Sequence, residues 1–93
     1  MILFELTTPS GQRVGVDCTN GGFWVLRLDE KMPQGWQWVA VAYPPVRSLE
    51  ATRERLYAAG VPENAPAWLA AGWRAKVDQQ LEVQRGQAAT TSP

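Results

Sequence analysis

Apolar and polar residues alternate along the first half of the chain with a period of two, which is typical of half-buried β-strands. The pattern predicts four strands, over 2–8, 12–18, 22–28 and 36–43. Glycine, proline and an Asn-Gly pair, which favour tight turns, stand between these segments. The fourth segment ends at Pro44, because proline cannot donate a backbone hydrogen bond to a β-ladder.

The first two strands are expected to form a hairpin in a definite register. Pairing Thr8 with Gln12 leaves a three-residue loop, in which Gly11 takes the positive φ that glycine adopts at little cost. Apolar residues then face each other in the pairs Leu6 with Val14, Phe4 with Val16, and Ile2 with Cys18. The same alternation predicts that Cys18 is a buried structural cysteine rather than a reactive thiolate.

The turn at 20–21 leaves two pairings open. A two-residue Asn-Gly loop places Val25 opposite Val16, whereas a three-residue loop would bring Trp24 and Leu26 onto that face. The alternation cannot decide between them, because the third and fourth strands are apolar on both sides. Strands of this kind are covered on both faces or keep one face for a partner.

Helical signals replace the alternation in the second half of the chain. Ser48 is a suitable N-cap for a helix over 49–59, and Gly60 is expected just past its end. Apolar positions recur every three to four residues and form one stripe, made of Leu49, Thr52, Leu56 and Ala59. The predicted helix therefore has one face to pack against the sheet.

A second helix is predicted to begin after Asn64, to tolerate Pro66 in its first turn and to end near Arg85. Its stripe contains Leu69, Trp73 and Val77, with Ala70 and Leu81 beside it. Because the last turns of this face are polar, the helix either extends into solvent or meets a partner there. Residues 87–93 show no packing pattern and are predicted to form a disordered tail.

These elements predict an α+β fold: a four-stranded antiparallel β-meander packed on one face by a C-terminal α-helical hairpin. The 93 residues suffice for one domain, which is expected to span 1–86. The pattern does not decide which face of the sheet the helices cover.

The composition excludes several classes of function. Nine basic and nine acidic side chains give a formal net charge of zero, so no long-range field attracts nucleic acid or an anionic membrane. With no histidine and one cysteine, the chain lacks the usual zinc ligand sets and the base of the common catalytic triads. We therefore expect no metal, no cofactor and no enzymatic activity. A carboxylate enzyme using Asp17 is kept as a third hypothesis.

The N-terminal segment has no basic n-region, and no apolar run approaches the roughly 20 residues of a membrane span. The lone cysteine fits a reducing compartment. These features favour a cytoplasmic protein that does not enter a membrane.

Five tryptophans in 93 residues suggest a binding surface, because exposed aromatic and arginine side chains are enriched at protein interfaces. The predicted partner-binding residues are Trp24, Trp36, Trp38, Tyr43, Arg53 and Trp68. The leading hypothesis is a non-catalytic protein-binding module, a small bacterial or phage-encoded regulator or inhibitor that occludes a host protein complex. Self-association through the uncovered sheet face, giving a homodimer, is a variant of this hypothesis.

The alternative is nucleic-acid binding through the helical hairpin or through aromatic residues on the sheet. The hairpin has the spacing of a helix-turn-helix motif, including the glycine between the helices. Against this, Pro66 stands where a branched apolar residue is usual, and the second helix begins with no side chain suited to base edges. On this hypothesis Arg53 would contact phosphate.

Overall fold

The computed structural model describes residues 2–19 and 22–91. It has four antiparallel strands in one sheet, in the order β1-β2-β3-β4, and two C-terminal helices packed on that sheet. The elements are β1 (Ile2–Thr7), β2 (Arg13–Thr19), β3 (Gly22–Lys31), β4 (Gly35–Ala40), α1 (Leu49–Gly60) and α2 (Ala67–Thr91). The predicted α+β meander with a helical hairpin on one face is confirmed.

The first hairpin has the predicted loop. The backbone N–H of Thr8 donates to the carbonyl of Gln12 at 2.8 Å, and Gly11 has a φ of 88°. Residues that carry a side chain rarely adopt a φ of this sign, so glycine is required at this position of the loop. The apolar pairs Phe4 with Val16 and Leu6 with Val14 are also confirmed.

The third predicted pair of that hairpin is wrong. The register of β1 against β2 shifts between Ile2 and Phe4, so that Ile2 pairs with Asp17 instead of Cys18. The shift is an irregularity of the β-bulge type, and it turns Ile2 away from the side of the sheet to which Phe4 points. Cys18 consequently lacks the apolar neighbour that the predicted register supplied. Its side chain is exposed, contrary to the prediction that it is buried.

The second turn follows the first of the two alternatives. Val16 pairs with Val25 and Thr19 with Gly22, which leaves a two-residue connection at 20–21, outside the described residues. β3 then continues to Lys31, three residues past its predicted end. It is longer because β4 pairs with it as far as that residue.

The fourth strand is shorter than predicted. β4 ends at Ala40, and the chain leaves the sheet until Val46, which forms an isolated bridge with Phe23. Two hydrogen bonds make this bridge, from Phe23 N–H to the Val46 carbonyl at 2.6 Å and from Val46 N–H to the Phe23 carbonyl at 3.0 Å. The two prolines at 44–45 lie within this excursion, where no ladder needs their missing N–H groups.

The end of α1 differs from the prediction in one residue that matters for packing. Gly60 is the last residue of the helix rather than the residue after it, and its φ is not positive. A Cβ at Gly60 would lie 1.9 Å from the indole nitrogen of Trp73. That indole donates to the carbonyl of Leu56 at 2.8 Å. Glycine is therefore needed here for the close approach of α2.

At the N-terminal end of α1, Ser48 caps the helix as predicted.

The helix α2 begins and ends later than expected. The carbonyl of Pro66, not of Asn64, accepts its first hydrogen bond, from Ala70 N–H at 3.1 Å. The helix continues to Thr91, past the predicted end near Arg85, because no proline interrupts that segment. The helix thus includes 87–91 of the predicted tail, 92–93 lie outside the described residues, and the predicted disorder stays a prediction. The predicted domain boundary after residue 86 stays a prediction.

A single hydrophobic core lies between the sheet and the helices. α1 packs against β2 and β3, and α2 packs against β1 and α1. The buried apolar residues come from all of these elements: Phe4, Val14, Val16, Val25, Leu56, Trp73, Val77 and Leu81. The predicted stripe of α1 faces the core, and so does that of α2 from Trp73 to Leu81, whereas Leu69 and Ala70 lie outside the buried cluster.

Candidate functional site

The register of the sheet assigns a face to each strand residue. Val14, Val16 and Val25 point to the helices, so the residues between them point to the opposite side. We call this opposite side the open face, because no helix in the described part of the chain packs on it. Its apolar residues come mainly from β3 and β4: Ile2, Trp24, Leu26, Leu28, Trp36, Trp38 and Ala40.

The centre of the open face is built on a glycine. A Cβ at Gly15 would lie 3.2 Å from two ring atoms of Trp38 and 3.5 Å from Ile2. The guanidinium of Arg13 lies 6.0 Å from the Trp38 ring centre, a cation–π arrangement. Trp38 is thus half-buried by residues of the sheet itself. Glycine between two valines in a strand was the sequence signal for this close approach.

A second aromatic group lies at the start of β3. The ring centre of Tyr43 is 5.4 Å from that of Trp24, with an angle of 80° between the ring planes. The indole N–H of Trp24 donates to the hydroxyl oxygen of Thr19 at 3.2 Å, which fixes the ring. Tyr43 remains 76% exposed. The pair therefore presents an aromatic edge to solvent.

The third aromatic group is at the far end of the open face. Trp36 is 65% exposed and lines an open cleft of about 330 Å³ together with Leu28 and Arg13. Gln12 also lines the cleft, and its side-chain amide donates to the Leu28 carbonyl at 2.7 Å. The cleft is mostly apolar, with a cationic side chain on one wall.

The ionisable groups of the open face are few. Arg13 donates to Glu5 at 2.6 Å, so these two charges offset each other. The register places Asp17 opposite Trp24, and Glu30 opposite Trp36. Apart from the Arg13–Glu5 pair, the charged side chains that the described strands place on this face are acidic.

The structure brings four of the six predicted partner-binding residues onto or beside one face: Trp24, Trp36, Trp38 and Tyr43. It separates the other two from them. Trp68 is 74% exposed near the start of α2, beside a cleft that Pro9 and Lys76 also line. Trp68 therefore belongs to the helical layer and not to the open face.

Arg53 lies between the helices. Its Nε is 3.3 Å from a carboxylate oxygen of Asp78, and the Tyr57 hydroxyl donates to the same oxygen. This hydrogen bond, with burial as a smaller cause, raises the pKa of Tyr57 above its ordinary value of 10.0. The guanidinium of Arg74 lies 5.5 Å from the Tyr57 ring. These contacts join α1 to α2 and give Arg53 a structural partner.

Two other arginines of the helical layer also have partners within the chain. Arg85 forms ion pairs with Glu50 and Glu82, and Arg55 donates to the Pro44 carbonyl. Acidic residues thus interleave with the basic ones along the hairpin, and the field that would attract phosphate is small. Nucleic-acid binding by the hairpin stays a prediction, and nothing in this geometry favours it.

The carboxylate of Asp29 is held by a neighbouring arginine, and the carboxylate-enzyme hypothesis at Asp17 stays a prediction. Arg27 donates two hydrogen bonds of 2.8 Å to Asp29, and these lower the pKa of Asp29. This carboxylate is therefore held in its ionised form rather than poised as a general acid. Across 2–19 and 22–91, no three cysteine, aspartate or glutamate side chains are grouped so that they could hold a metal ion.

Comparison of the sequence with protein-family models, with curated proteins and with solved structures gives no match. The two helices, as far as they are described, include no stretch long and apolar enough to cross a membrane. The candidate site thus rests on the geometry of the open face.

Proposed function

We propose that this chain is a non-catalytic protein-binding module that docks a partner on the open face of its sheet. The observation that carries the proposal is the exposure of Trp36 and Tyr43 on the side of the sheet opposite the helices. An antiparallel sheet with one solvated face normally places polar residues there. Tryptophan and tyrosine in such a position are instead typical of interface anchors.

The charges of the open face define the partner further. Glu30 lies directly across from the indole of Trp36, and Arg13 is already paired with Glu5. Charge complementarity therefore favours a protein surface with an apolar centre and lysine or arginine at its rim. The phosphate backbone of a nucleic acid would meet the carboxylate of Glu30 on this face.

A binding module of this size acts by occupying a surface. A chain of 93 residues with one binding face can block a site on a larger protein without performing chemistry on it. This is the action of a small regulator or inhibitor, and the composition fits a bacterial or phage-encoded one. Its affinity would depend on a few aromatic anchors rather than on total contact area.

The experiment compares capture of proteins from a bacterial lysate by the immobilised wild-type chain and three variants. Trp36→Ala and Tyr43→Ala remove anchors from the open face, and Trp68→Ala removes an equally exposed ring from the helical layer. We expect the first two to lose the captured protein and the third to retain it. Retention by Tyr43→Ala and Trp36→Ala, with loss by Trp68→Ala, would overturn the assignment of the open face.

The captured protein is then purified and titrated against the wild-type chain at about 50 mM and about 200 mM salt. An aromatic interface should change in affinity by less than about tenfold, whereas six to ten phosphate contacts would give a loss of about 10³ to 10⁵. A steep loss of affinity, with nucleic acid in the captured fraction, would replace the proposed function by the alternative.

Glu30→Gln should weaken the binding of a partner whose rim is basic. Glu63→Gln, in the linker between the helices, is the matched control.

A further inference from the structure

The two edges of the sheet are protected very differently. β1 contacts α2 as well as β2, carries Glu5 and has the irregularity between Ile2 and Phe4. β4 contacts only β3 among the described helices and strands. It contains neither proline nor a charged residue, and no Asp, Glu, Lys or Arg occurs anywhere in 32–46. Charges, prolines and bulges are the usual devices that keep an exposed edge from pairing, and β4 has none of them.

The register identifies the backbone groups on the free edge of β4. The N–H of Val41 donates to the Val25 carbonyl at 3.0 Å, and the register of β3 against β4 is regular. Hydrogen-bonded pairs alternate along an antiparallel ladder, so Val39 and Gln37 also direct their groups toward β3. The N–H and C=O groups of the residues between them therefore point outward: Trp36, Trp38 and Ala40.

We propose that two copies of this chain pair through β4, antiparallel and in the register that sets Trp38 opposite its counterpart. A two-fold axis at this residue makes the edge complementary to itself. Trp36 then forms a hydrogen-bonded pair with the partner's Ala40, and Ala40 with the partner's Trp36. All six outward groups of each copy are satisfied in this register. It also places a large side chain against a small one on the open face.

Electrostatics does not oppose this pairing. The chain has a formal net charge of zero, and the uncharged stretch 32–46 includes the whole of β4. The two sheets become one sheet of eight strands, and the two open faces become continuous. The inference is independent of the proposed function, because it uses the edge of the sheet and not the docking of a partner on its face.

The mass in solution is the first test. Sedimentation equilibrium on the wild-type chain, from about 1 μM to about 1 mM, should show a mass rising from 10.3 kDa to twice that value. Ala40→Pro removes an outward N–H and leaves the ladder with β3 intact, so it should weaken dimerisation at least about tenfold. Tyr43→Ala is the control, because Tyr43 lies outside β4 and its ring packs on Trp24 of β3.

Three outcomes overturn the inference. The first is a wild-type chain that stays monomeric at about 1 mM. The second is a dimer that Tyr43→Ala dissolves and Ala40→Pro does not, which would show face-to-face packing of the aromatic groups. The third is a dimer that neither substitution affects. Thermal unfolding of each variant shows whether it is folded.

A disulfide test checks the register itself. In a Cys18→Ser background, Trp38→Cys places two thiols in directly opposite positions, about 5.5 Å apart between Cα atoms, within the range of a disulfide. Mild oxidation should give a cross-linked dimer. Trp36→Cys is the matched control, since four residues separate it from its counterpart along the paired strands, about 13 Å. Efficient cross-linking of the control and not of Trp38→Cys would refute the register.

Discussion

The two faces of the sheet carry apolar residues in comparable number, yet they bury them to very different extents. On the covered face Val16 is 0% exposed, and its neighbours Val14 and Val25 are equally enclosed by the helices. On the open face Trp36 is 65% exposed, and Trp38 is half-buried against Gly15 and Arg13 of the sheet. The apolar residues of a strand thus indicate which side chains it can bury. Whether they are buried depends on whether another layer of secondary structure packs on that face.

The largest expected effect tests the covered face. Trp73→Ala deletes a fully buried indole and its hydrogen bond to Leu56, so the free energy of unfolding should fall by about 3–5 kcal/mol. Urea denaturation followed by circular dichroism measures it. Trp68→Ala, which removes an exposed indole from the same helix, should change the free energy by less than about 0.5 kcal/mol. Equal effects of the two would contradict the assigned burial.

The next prediction concerns the junction between the helices. Gly60→Ala forces a Cβ into the Trp73 ring and should lower the free energy of unfolding by about 1–3 kcal/mol. Gly72→Ala is the matched control, because a Cβ there meets nothing within 4 Å and alanine favours a helix. The control should raise stability by about 0.5–1 kcal/mol. Chemical denaturation measures the change in the free energy of unfolding for both variants. Changes of opposite sign would show that the space beside Trp73, and not helix propensity, requires glycine at position 60.

A smaller effect is expected on the open face. Trp36→Ala should leave the free energy of unfolding within about 0.5 kcal/mol of the wild type, because its indole is largely in solvent already. Val25→Ala, on the adjacent strand but facing the helices, should cost clearly more. Denaturation of the two variants side by side measures how different the faces are. A large loss for Trp36→Ala would mean that its ring supports the fold.

The smallest effect is a dependence on alkaline pH. The hydrogen bond to Asp78 raises the pKa of Tyr57, so the folded chain holds this proton more tightly than the unfolded chain. The resulting stabilisation is complete below the unfolded pKa near 10 and is lost as the pH rises through the folded value. Denaturation between about pH 8 and about pH 11 should show this loss, and Asp78→Asn should reduce it. An unchanged profile in Asp78→Asn would contradict the assigned cause.

Local signals predicted much of the fold. The loop at Gly11, the cap at Ser48, the stripe of α1 and that of α2 from Trp73 to Leu81 depend on residues close together in the chain, and all are found in the structure. The grouping of the aromatic residues on the open face could be predicted only in part. Trp24, Trp36 and Trp38 lie on strands that are apolar on both sides, so the sequence does not show which face they take. Which side they take follows from the second turn, which the pattern left open.

What could not be predicted depends on contacts between distant residues. The irregularity at Ile2 sets its side chain beside Gly15 and Trp38. No pattern of neighbouring residues in the sequence predicts this packing. The same shift removes Ile2 from its predicted place opposite Cys18. Gly60 resembles a helix terminator in the sequence, but its role is to admit an indole from the other helix. Each of these is a packing effect that overrides the local preference.

The excursion between β4 and α1 is fastened at both ends, by Val41 to Val25 and by Val46 to Phe23. Tyr43 therefore projects from a short arch whose ends have already lost their conformational freedom during folding. Less entropy remains to be lost when a partner immobilises the ring, so a larger part of its contact energy can appear as affinity. The arch is preorganised by its hydrogen bonds to β3 rather than by the partner.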